Sequence, residues 1–345
     1  MILVTGATGL VGSHLLLALA LRGEKVVALK RKTSDDSCLI NVFSAHPELY
    51  NTIQWVEGDI LNISSLYKAI EETRKVYHCA GMVSYDPADS DLMTKINIHG
   101  TEIVVKLCID YNIEKLCYVS SVSAINRINE NEIIDENSEW KTSRENSNYA
   151  ISKYKAEHIV REGMANGLKA VIVNPTIIIG PGNWKTGSTA MFQQIWKGLK
   201  FYTNGIAGFV DVRDVCEVMI RLMNSDIHSE RFILNGENLP YKKVFDWMAY
   251  YLGKPKPSIP ANALLLNIAW RMAKLKKILF NEAPFITKET AVSGMKKLEF
   301  SNRKIKQTLD INFIPIQQSV KETCAVFLKD HNKISGGAKI VYQNG

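Results

Sequence analysis

The first twelve residues, MILVTGATGLVG, constrain the fold more than any other stretch. Residues 2–4 form a short apolar run of the kind that parallel sheets bury. Gly6, Gly9 and Gly12 follow at three-residue spacing, and residues 13–21 read as an apolar-rich helix. A strand, a glycine turn and a helix N-terminus together favour pyrophosphate binding, because glycine admits close backbone approach and the helix end offers free N–H groups. An ordinary glycine-rich turn is the alternative for this motif on its own.

Composition indicates a globular protein. The 345 residues are 46% hydrophobic and 22% charged, which suits one large domain or two moderate ones. The net charge of +7 is spread along the chain, with its densest group at residues 274–277. A nucleic-acid reader more often carries a concentrated basic stripe. We therefore expect a small-molecule substrate and no nucleic-acid partner, and a homodimer is compatible with the sequence.

The cysteines and the apolar segments indicate a cytoplasmic location. The six cysteines include no C-x-x-C pair, and several fall in apolar runs, as expected of reduced thiols. The first strand begins at residue 2, so we expect no signal peptide. Residues 257–270 hold 14 uncharged residues and two prolines, too few to span a membrane, which takes about 20. For residues 263–280 a packing or lid helix is favoured over a membrane-surface helix.

The second predicted strand, residues 25–29, bears on the choice of cofactor. It runs into a basic turn that begins with Lys30 and Arg31. NAD sites place a carboxylate near this strand end for the ribose hydroxyls, whereas NADP sites place basic groups there for the 2′-phosphate. Asp35 and Asp36 come too late in the chain to lie at the strand end. NADP(H) is therefore favoured, with NAD(H) and a merely solvated turn as alternatives.

Alternating strands and helices predict an α/β fold with a Rossmann-type, doubly wound parallel sheet. Further strands are predicted over residues 52–56, 75–78, 115–119, 170–173, 208–214 and 231–234. Asp59 follows the third strand, where a carboxylate can bond an adenine amino group. The fifth strand delivers Ser120 and Ser121 to its carboxyl end, the edge at which open α/β sheets bind ligands.

A tyrosine and a lysine four residues apart share one helix face, and this spacing occurs three times. Tyr111 and Lys115 straddle a predicted helix-to-strand junction, and Gly253 interrupts the third pair, Tyr250 and Lys254. Only Tyr149 and Lys153 follow a strand-end serine pair within one long predicted helix, residues 146–163. This pair is the candidate for chemistry.

Together these motifs resemble the extended short-chain dehydrogenase/reductase family, also described as the NAD-dependent epimerase/dehydratase family, over roughly residues 1–330. Within this family, the motifs most resemble those of dihydroflavonol-4-reductase-like carbonyl reductases. The resemblance rests on GATGLVG (6–12), GDI (58–60), HCAG (78–81), NIHGT (97–101), VSSVS (119–123), YAISK (149–153), NPTIIIGPG (174–182) and FVDVRDV (209–215).

The resemblance implies a Ser–Tyr–Lys mechanism. Tyr149 is expected to protonate the carbonyl oxygen, and Ser121 to bond and orient that oxygen, with Ser123 as the fallback. Lys153 is expected to hold the nicotinamide ribose and to tune Tyr149, because a phenol with a pKa of ~10 is a poor proton donor at neutral pH unless its phenolate is stabilised.

The expected binding residues follow from the same motifs. Those expected to bind the cofactor are Gly6, Thr8, Gly9, Leu10, Val11, Gly12, Lys30, Arg31, Asp59, Ile60, Ala80, Gly81, Tyr149, Lys153, Pro175 and Ile178. Those expected to face the substrate are Met82, Ser84, Ser123 and Asn126. No metal site is expected. We assign residues 1–180 and about 205–235 to the NAD(P)-binding domain, 181–204 and 236–330 to a smaller, mostly helical substrate domain, and 331–345 to a loose tail.

The sequence is compatible with three functions. The favoured one is NADP-dependent reduction of an aldehyde or ketone. The second is a sugar-nucleotide epimerase or dehydratase that retains its NAD(P). Residues 205–211, where such enzymes usually carry a diphosphate-gripping arginine, contain none; Arg213, Arg221 or Arg231 would then have to serve. The third is a non-catalytic cofactor-binding protein, which the intact Tyr149 and Lys153 disfavour.

Overall fold

The computed structural model describes residues 1–125, 133–143, 146–262, 265, 270–271 and 287–340. Twelve strands lie in the described residues: β1 (Ile2–Thr5), β2 (Val26–Lys30), β3 (Gln54–Glu57), β4 (Lys75–His78), β5 (Lys115–Val119), β6 (Ala170–Pro175), β7 (Ile177–Ile179), β8 (Phe201–Tyr202), β9 (Ile206–Asp211), β10 (Glu230–Leu234), β11 (Glu237–Pro240) and β12 (Ile259–Pro260).

The helices connect these strands. In the described part of the chain they are α1 (Leu10–Leu21), α2 (Ser37–Val42), α3 (Pro47–Tyr50), α4 (Ile63–Ile70), α5 (Ser90–Thr94), α6 (Gly100–Asp110), α7 (Asn148–Ala165), α8 (Ala190–Trp196), α9 (Val212–Met223), α10 (Tyr241–Leu252), α11 (Lys288–Ser293), α12 (Arg303–Leu309) and α13 (Ile316–Ile340). A π-helical segment, Lys95–His99, joins α5 to α6.

A seven-stranded sheet organises the molecule, with strand order β10-β6-β5-β4-β1-β2-β3. Every neighbouring pair in it is parallel. The chain order reverses on either side of β1, which pairs with β2 on one edge and β4 on the other. A crevice outside the carboxyl ends at such a reversal is the usual ligand site of this fold. The predicted fold class is therefore confirmed.

Helices cover both faces of the sheet, which explains the continuous apolar strands. Val4 belongs to a core shared with α1 and α9, whereas its neighbour Leu3 belongs to a core shared with α4, α6 and α7. Both residues are almost fully buried. Alternate side chains of a strand point to opposite faces, so a strand covered on both faces must be apolar throughout.

A second, smaller sheet has the order β11-β9-β7 and packs with α8, α10 and α13. The sequence predicted a strand over residues 208–214, and this prediction is wrong at its end. Strand β9 stops at Asp211, whose carboxylate accepts the backbone N–H of Arg213 and caps α9. An aspartate in extended conformation is a favoured helix N-cap, and here that local bond ends the strand.

Two expectations concern the C-terminal half of the chain: a loose tail from residue 331, and a packing or lid helix over residues 263–280. Residues 331–340 continue α13 in the structure, and the assignment of residues 331–345 to a loose tail stays a prediction. Once a helix is formed, each further residue adds one backbone bond, so a polar sequence can extend it. Residues 341–345 lie outside the described residues, as do most of residues 263–280. Within the described chain, no helix has the length and apolarity that crossing a membrane requires.

The glycine turn gives a first prediction, on stability. Gly6 and Gly23 both have positive φ, 67° and 71°. A methyl group at Gly6 would lie 2.5 Å from the backbone nitrogen of Ala80, whereas one at Gly23 would meet nothing within 4 Å. We expect Gly23→Ala to cost about 1–2 kcal/mol of unfolding free energy from backbone strain alone. Gly6→Ala should cost a further ~1–3 kcal/mol because the backbone must shift. Urea unfolding of the two variants makes the comparison, and equal losses would contradict the steric argument.

Candidate active site

The glycine turn leaves the start of α1 uncapped by any side chain. Gly9 is the N-cap residue, and the first intrahelical bond is donated by the Ser13 N–H to the Gly9 carbonyl. The N–H groups of Leu10, Val11 and Gly12 precede that bond and form the helix end. A methyl group at Gly12 would lie 2.1 Å from the Gly6 oxygen. The turn is thus closed by backbone packing, and its N–H groups and helix dipole fit a pyrophosphate.

Ala80 and Gly81 connect this turn to the tyrosine–lysine helix. Ala80 backs onto Gly6, as described above, and a methyl group at Gly81 would lie 3.7 Å from the Lys153 Nζ. Both residues follow β4, the strand at the reversal of the sheet. A dinucleotide running from the α1 end along this segment would reach Lys153. The residues present therefore fit a nicotinamide dinucleotide.

Tyr149 and Ser121 meet at the carboxyl edge of the sheet. Tyr149 lies in the first turn of α7 and is buried. Burial raises the pKa of its phenol, and a hydrogen bond with the Ser121 side chain partly offsets that rise. Ser121 follows β5, and its oxygen also accepts the Ser123 N–H at 3.1 Å. Burial is the larger of these two effects, so the pKa of Tyr149 lies above the ordinary value of a phenol, and the expected tuning by Lys153 stays a prediction.

Lys153 lies one turn further along α7 and is almost fully buried. Its Nζ donates to the Val119 carbonyl at 2.8 Å and stands 4.7 Å from the centroid of the Tyr118 ring. Burial lowers the pKa of Lys153 to about 8, while the nearby Glu157 carboxylate acts in the opposite direction. With this pKa the ammonium is still mostly protonated at neutral pH.

A buried carboxylate holds the next turn of α7. Glu157 Oε2 accepts the Ser120 hydroxyl and the Asn174 amide, each at 2.7 Å. Its Oε1 lies 3.2 Å from a nitrogen of Arg161 and 3.2 Å from one of Arg231. Both oxygens are thus paired, as a buried charge requires. This cluster fixes α7 against β5 and β6, and so fixes the height of Tyr149 above the sheet edge.

Asn97 is a site residue that the sequence placed in a motif but gave no role. It is buried in the π-helical segment, and its Oδ1 accepts the Met82 N–H at 2.7 Å. Its Nδ2 donates to the Met82 carbonyl and to the Ser152 hydroxyl, both at 2.9 Å. Asn97 therefore ties the loop after β4 to α7. π-helical segments are rare and often occur at functional sites, but no sequence signal marks them.

In the basic turn after β2, Lys30 is paired with an acid of the same chain, whereas Arg31 is exposed. The Lys30 Nζ lies 2.6 Å from Asp36 Oδ2 and 4.8 Å from the centroid of the Trp55 ring. That hydrogen bond with Asp36 raises the pKa of Lys30. The turn thus brings the Asp36 carboxylate to the end of the Lys30 side chain, a contact that the sequence did not predict. Asp36 Oδ1 is buried without a partner among the described residues. Arg31 is exposed.

The remaining predicted cofactor residues line the same edge with varied exposure. Asp59 is half-buried, and its Oδ1 accepts the Leu61 N–H at 2.9 Å. Ile60 is buried, and its Cδ1 would lie 2.5 Å from a methyl group at Gly100. Pro175 ends β6, Ile178 lies in β7, and Thr8 is half-buried in the glycine turn. Their roles stay predictions.

The predicted substrate-facing residues divide into three groups. Met82 is held by Asn97, and Ser123 is half-buried beside Ser121. The Ser84 hydroxyl donates to Asp89 at 2.6 Å and accepts the Asp86 N–H, which commits it to its own loop. Asn126 lies outside the described residues. Tyr85, which the sequence did not single out, packs edge-to-face on Tyr149 with ring centroids 5.9 Å apart.

The two other pairs with tyrosine–lysine spacing lie in different settings. Tyr111 caps the end of α6, whereas Lys115 starts β5 and donates to the Leu222 and Ser225 carbonyls. Tyr250 is 71% exposed, and α10 ends at Leu252 before Gly253. Neither pair therefore shares a helical face, as the sequence predicted.

Each of the three arginines that could have bound a diphosphate forms hydrogen bonds or ion pairs within the chain. Arg213 makes two bonds with Asp211, at 2.7 and 3.0 Å, and lies 2.7 Å from Glu322. An Arg221 nitrogen donates to the Leu309 carbonyl. Arg231 donates to the Glu136 carbonyl at 2.8 Å besides its pairing with Glu157.

Comparison with known proteins agrees with this geometry. A family model described as the NAD dependent epimerase/dehydratase family matches residues 2–234. A curated relative, sterol demethylase protein B of Methylococcus capsulatus, is 28% identical over 74% of this chain and 76% of its own length. A putative dihydroflavonol 4-reductase of Synechocystis sp. is 27% identical over 93% of this chain and 92% of its own.

Among solved structures, the crystal structure of gox2253 superposes with a TM-score of 0.80 and 28% identity, covering 96% of this chain and 98% of that one. The similarity therefore extends over the seven-stranded sheet and the three-stranded sheet.

Proposed function

The chain belongs to the NAD dependent epimerase/dehydratase family of NAD(P)-dependent enzymes, and from that premise we propose that it reduces an aldehyde or ketone of a small organic molecule with NADPH. The observation that carries this proposal is the meeting of Tyr149 and Ser121 at the sheet edge, one helical turn from Lys153. Relatives described as reductases support it.

In this proposal the reduced nicotinamide, when bound, supplies the hydride. Tyr149 donates its phenolic proton to the carbonyl oxygen, and Ser121 donates a hydrogen bond to the same oxygen and orients it. In this proposal the carbonyl oxygen enters between Tyr149 and Ser121 and replaces the hydrogen bond between their side chains. Lys153 would bond the ribose with a second N–H of its ammonium and stabilise the phenolate that remains. Glu157 keeps the Lys153 ammonium protonated at neutral pH, because its charge opposes the lowering by burial.

Four variants test this mechanism side by side. Tyr149→Phe removes one hydroxyl and should lower the rate of carbonyl reduction by ~10²–10⁴-fold while NADP(H) binding persists, because only the positioned acid is lost. Lys153→Met should lower the rate and also weaken cofactor binding. The controls, Tyr111→Phe and Tyr250→Phe, should leave turnover nearly unchanged. Steady-state kinetics with melting curves make the measurement, and near-normal turnover by Tyr149→Phe would overturn the mechanism.

NADP(H) as the cofactor rests on Arg31, since Lys30 is shared with Asp36. NADPH should bind more tightly than NADH, and Arg31→Asp should shrink or reverse the preference. Charged hydrogen bonds to a phosphate contribute ~1.5–3 kcal/mol, about tenfold to a hundredfold in affinity. Asp36→Asn should act in the opposite direction, because it removes the negative charge that pairs with the Lys30 ammonium and would repel a 2′-phosphate. Calorimetric dissociation constants decide, and equal constants for both cofactors in the wild type would refute the preference.

A sugar-nucleotide epimerase or dehydratase is the second candidate, since the family name covers that chemistry. The occupied guanidinium groups of Arg213, Arg221 and Arg231 argue against it, because a diphosphate site needs a free bidentate donor. We expect UDP-glucose to bind the NADP+ complex no better than millimolar in calorimetry. Micromolar binding that Arg213→Gln abolishes would instead favour the epimerase.

A further inference from the structure

A second group of side chains borders Tyr149 on the side of α11. The Tyr85 ring packs edge-to-face on the Tyr149 ring. From α11, one carboxylate oxygen of Glu289 accepts the backbone N–H of Asn148, the residue before Tyr149. Glu289 and Tyr85 also interact electrostatically. Residues from three distant parts of the chain thus converge beside the proposed acid.

The Glu289 carboxylate is only half satisfied. Its Oε2 is buried and has no hydrogen-bond partner among the described residues. Burial raises the pKa of this carboxyl group, against the effect of the Asn148 N–H. A buried acceptor left without a donor is costly, and such groups are rare in folded proteins.

The position of Glu289 is held by the start of its helix. Thr287 and Thr290 form a reciprocal capping box at the N-terminus of α11, which fixes the first turn, where Glu289 lies. The plain alternative is that Glu289 only caps α7, whose N-terminus favours a negative charge. That role uses one oxygen and leaves the second unexplained.

We propose that Glu289 Oε2 receives the hydroxyl group of a neutral substrate whose carbonyl lies at Tyr149, so that the substrates are hydroxylated aldehydes or ketones. This inference rests on the proposed reductase function, which accounts for the carbonyl group. It adds a subsite that binds a hydroxyl group of the substrate as a hydrogen-bond donor. Tyr85 would lie between the two ends, with its ring against the apolar middle of the substrate.

The variant Glu289→Gln separates this subsite from a structural cap. Of the glutamine side-chain atoms, only Oε1 can accept the Asn148 N–H, so the cap is kept and the Nε2 donor replaces Oε2. Glu237→Gln is the matched control. Glu237 Oε1 likewise accepts a backbone N–H, that of Ile316 at 2.7 Å, at the start of α13. We assign no part in catalysis or binding to Glu237 or to Ile316.

The probes are benzaldehydes that carry a hydroxymethyl or a methoxymethyl group at the meta or para position, reduced with NADPH. The measured quantity is the ratio of kcat/KM for the hydroxymethyl compound to that for its methyl ether. We expect a wild-type ratio of about ten or more at one position, since a charged acceptor meets a donor only in the first compound. Glu289→Gln should lower that ratio at least tenfold, and Glu237→Gln should leave it unchanged.

A binding measurement keeps the test independent of turnover. The corresponding benzyl alcohols are titrated calorimetrically into each variant saturated with NADP+, and the same preference and the same loss are expected. If aldehydes are reduced with a ratio that Glu289→Gln does not change, the subsite is overturned and the reductase stands. If none is reduced but the binding preference holds and depends on Glu289, the reductase falls and the subsite stands. Binding of neither alcohol to the wild type overturns the subsite as well.

Discussion

The architecture of the site depends on one backbone-to-backbone contact, that of Gly6 with Ala80. No side chain fits between them, since even a methyl group at Gly6 would lie 2.5 Å from the Ala80 nitrogen. The contact joins the ends of β1 and β4 at the reversal of the sheet. It brings the α1 N-terminus to one side of Ala80–Gly81 and Lys153 to the other. The pyrophosphate end and the nicotinamide end of the proposed cofactor site are therefore set by the same pair of residues.

Helix α7 is held in place by two buried polar groups rather than by apolar packing alone. On one side, Thr5, His78 and Thr101 form a hydrogen-bonded row, with His78 2.7 Å from Thr5 and 3.0 Å from Thr101. Burial lowers the pKa of His78 to about 3, so this row stays uncharged. Thr101 then bonds the carbonyl of Asn97, whose amide reaches Ser152 in α7.

On the other side, the Glu157 cluster ties α7 to β5 and β6. Hydrogen bonds have directions that apolar contacts lack, so two such attachments fix both the rotation and the height of a helix. Side chains one turn apart on α7, Tyr149 and Lys153, consequently keep one orientation toward the sheet edge. The orientation that the proposed proton transfer requires is thus set by residues other than Ser121, Tyr149 and Lys153.

The sequence predicted those features that depend on local patterns. The two-sided burial of Leu3 and Val4, the glycine turn and the shared face of Tyr149 and Lys153 all follow from spacing along one element. It did not predict Asp36 folding back onto Lys30, nor the end of β9 at Asp211, because each depends on the path of a turn. Asn97 and Glu289 could not be recognised either. Their partners lie 55 and 141 positions away, at Ser152 and Asn148, and only the three-dimensional fold brings them together.

Charge distribution connects the fold to the proposed substrate. Two of the arginines considered for a diphosphate pair with acids of the same chain: Arg213 with Asp211 and Glu322, and Arg231 with Glu157. The Arg213 bonds join β9, α9 and α13, whereas the Arg231 bond joins β10 to α7. Releasing either arginine to a ligand would weaken the pairing of a buried carboxylate, which is costly. Within the described residues, a polar oxygen without a hydrogen-bond partner near Tyr149 instead belongs to an acid, Glu289. A negatively charged diphosphate would meet repulsion there, whereas a neutral carbonyl compound with a hydroxyl group would find a proton donor at one end and an acceptor at the other.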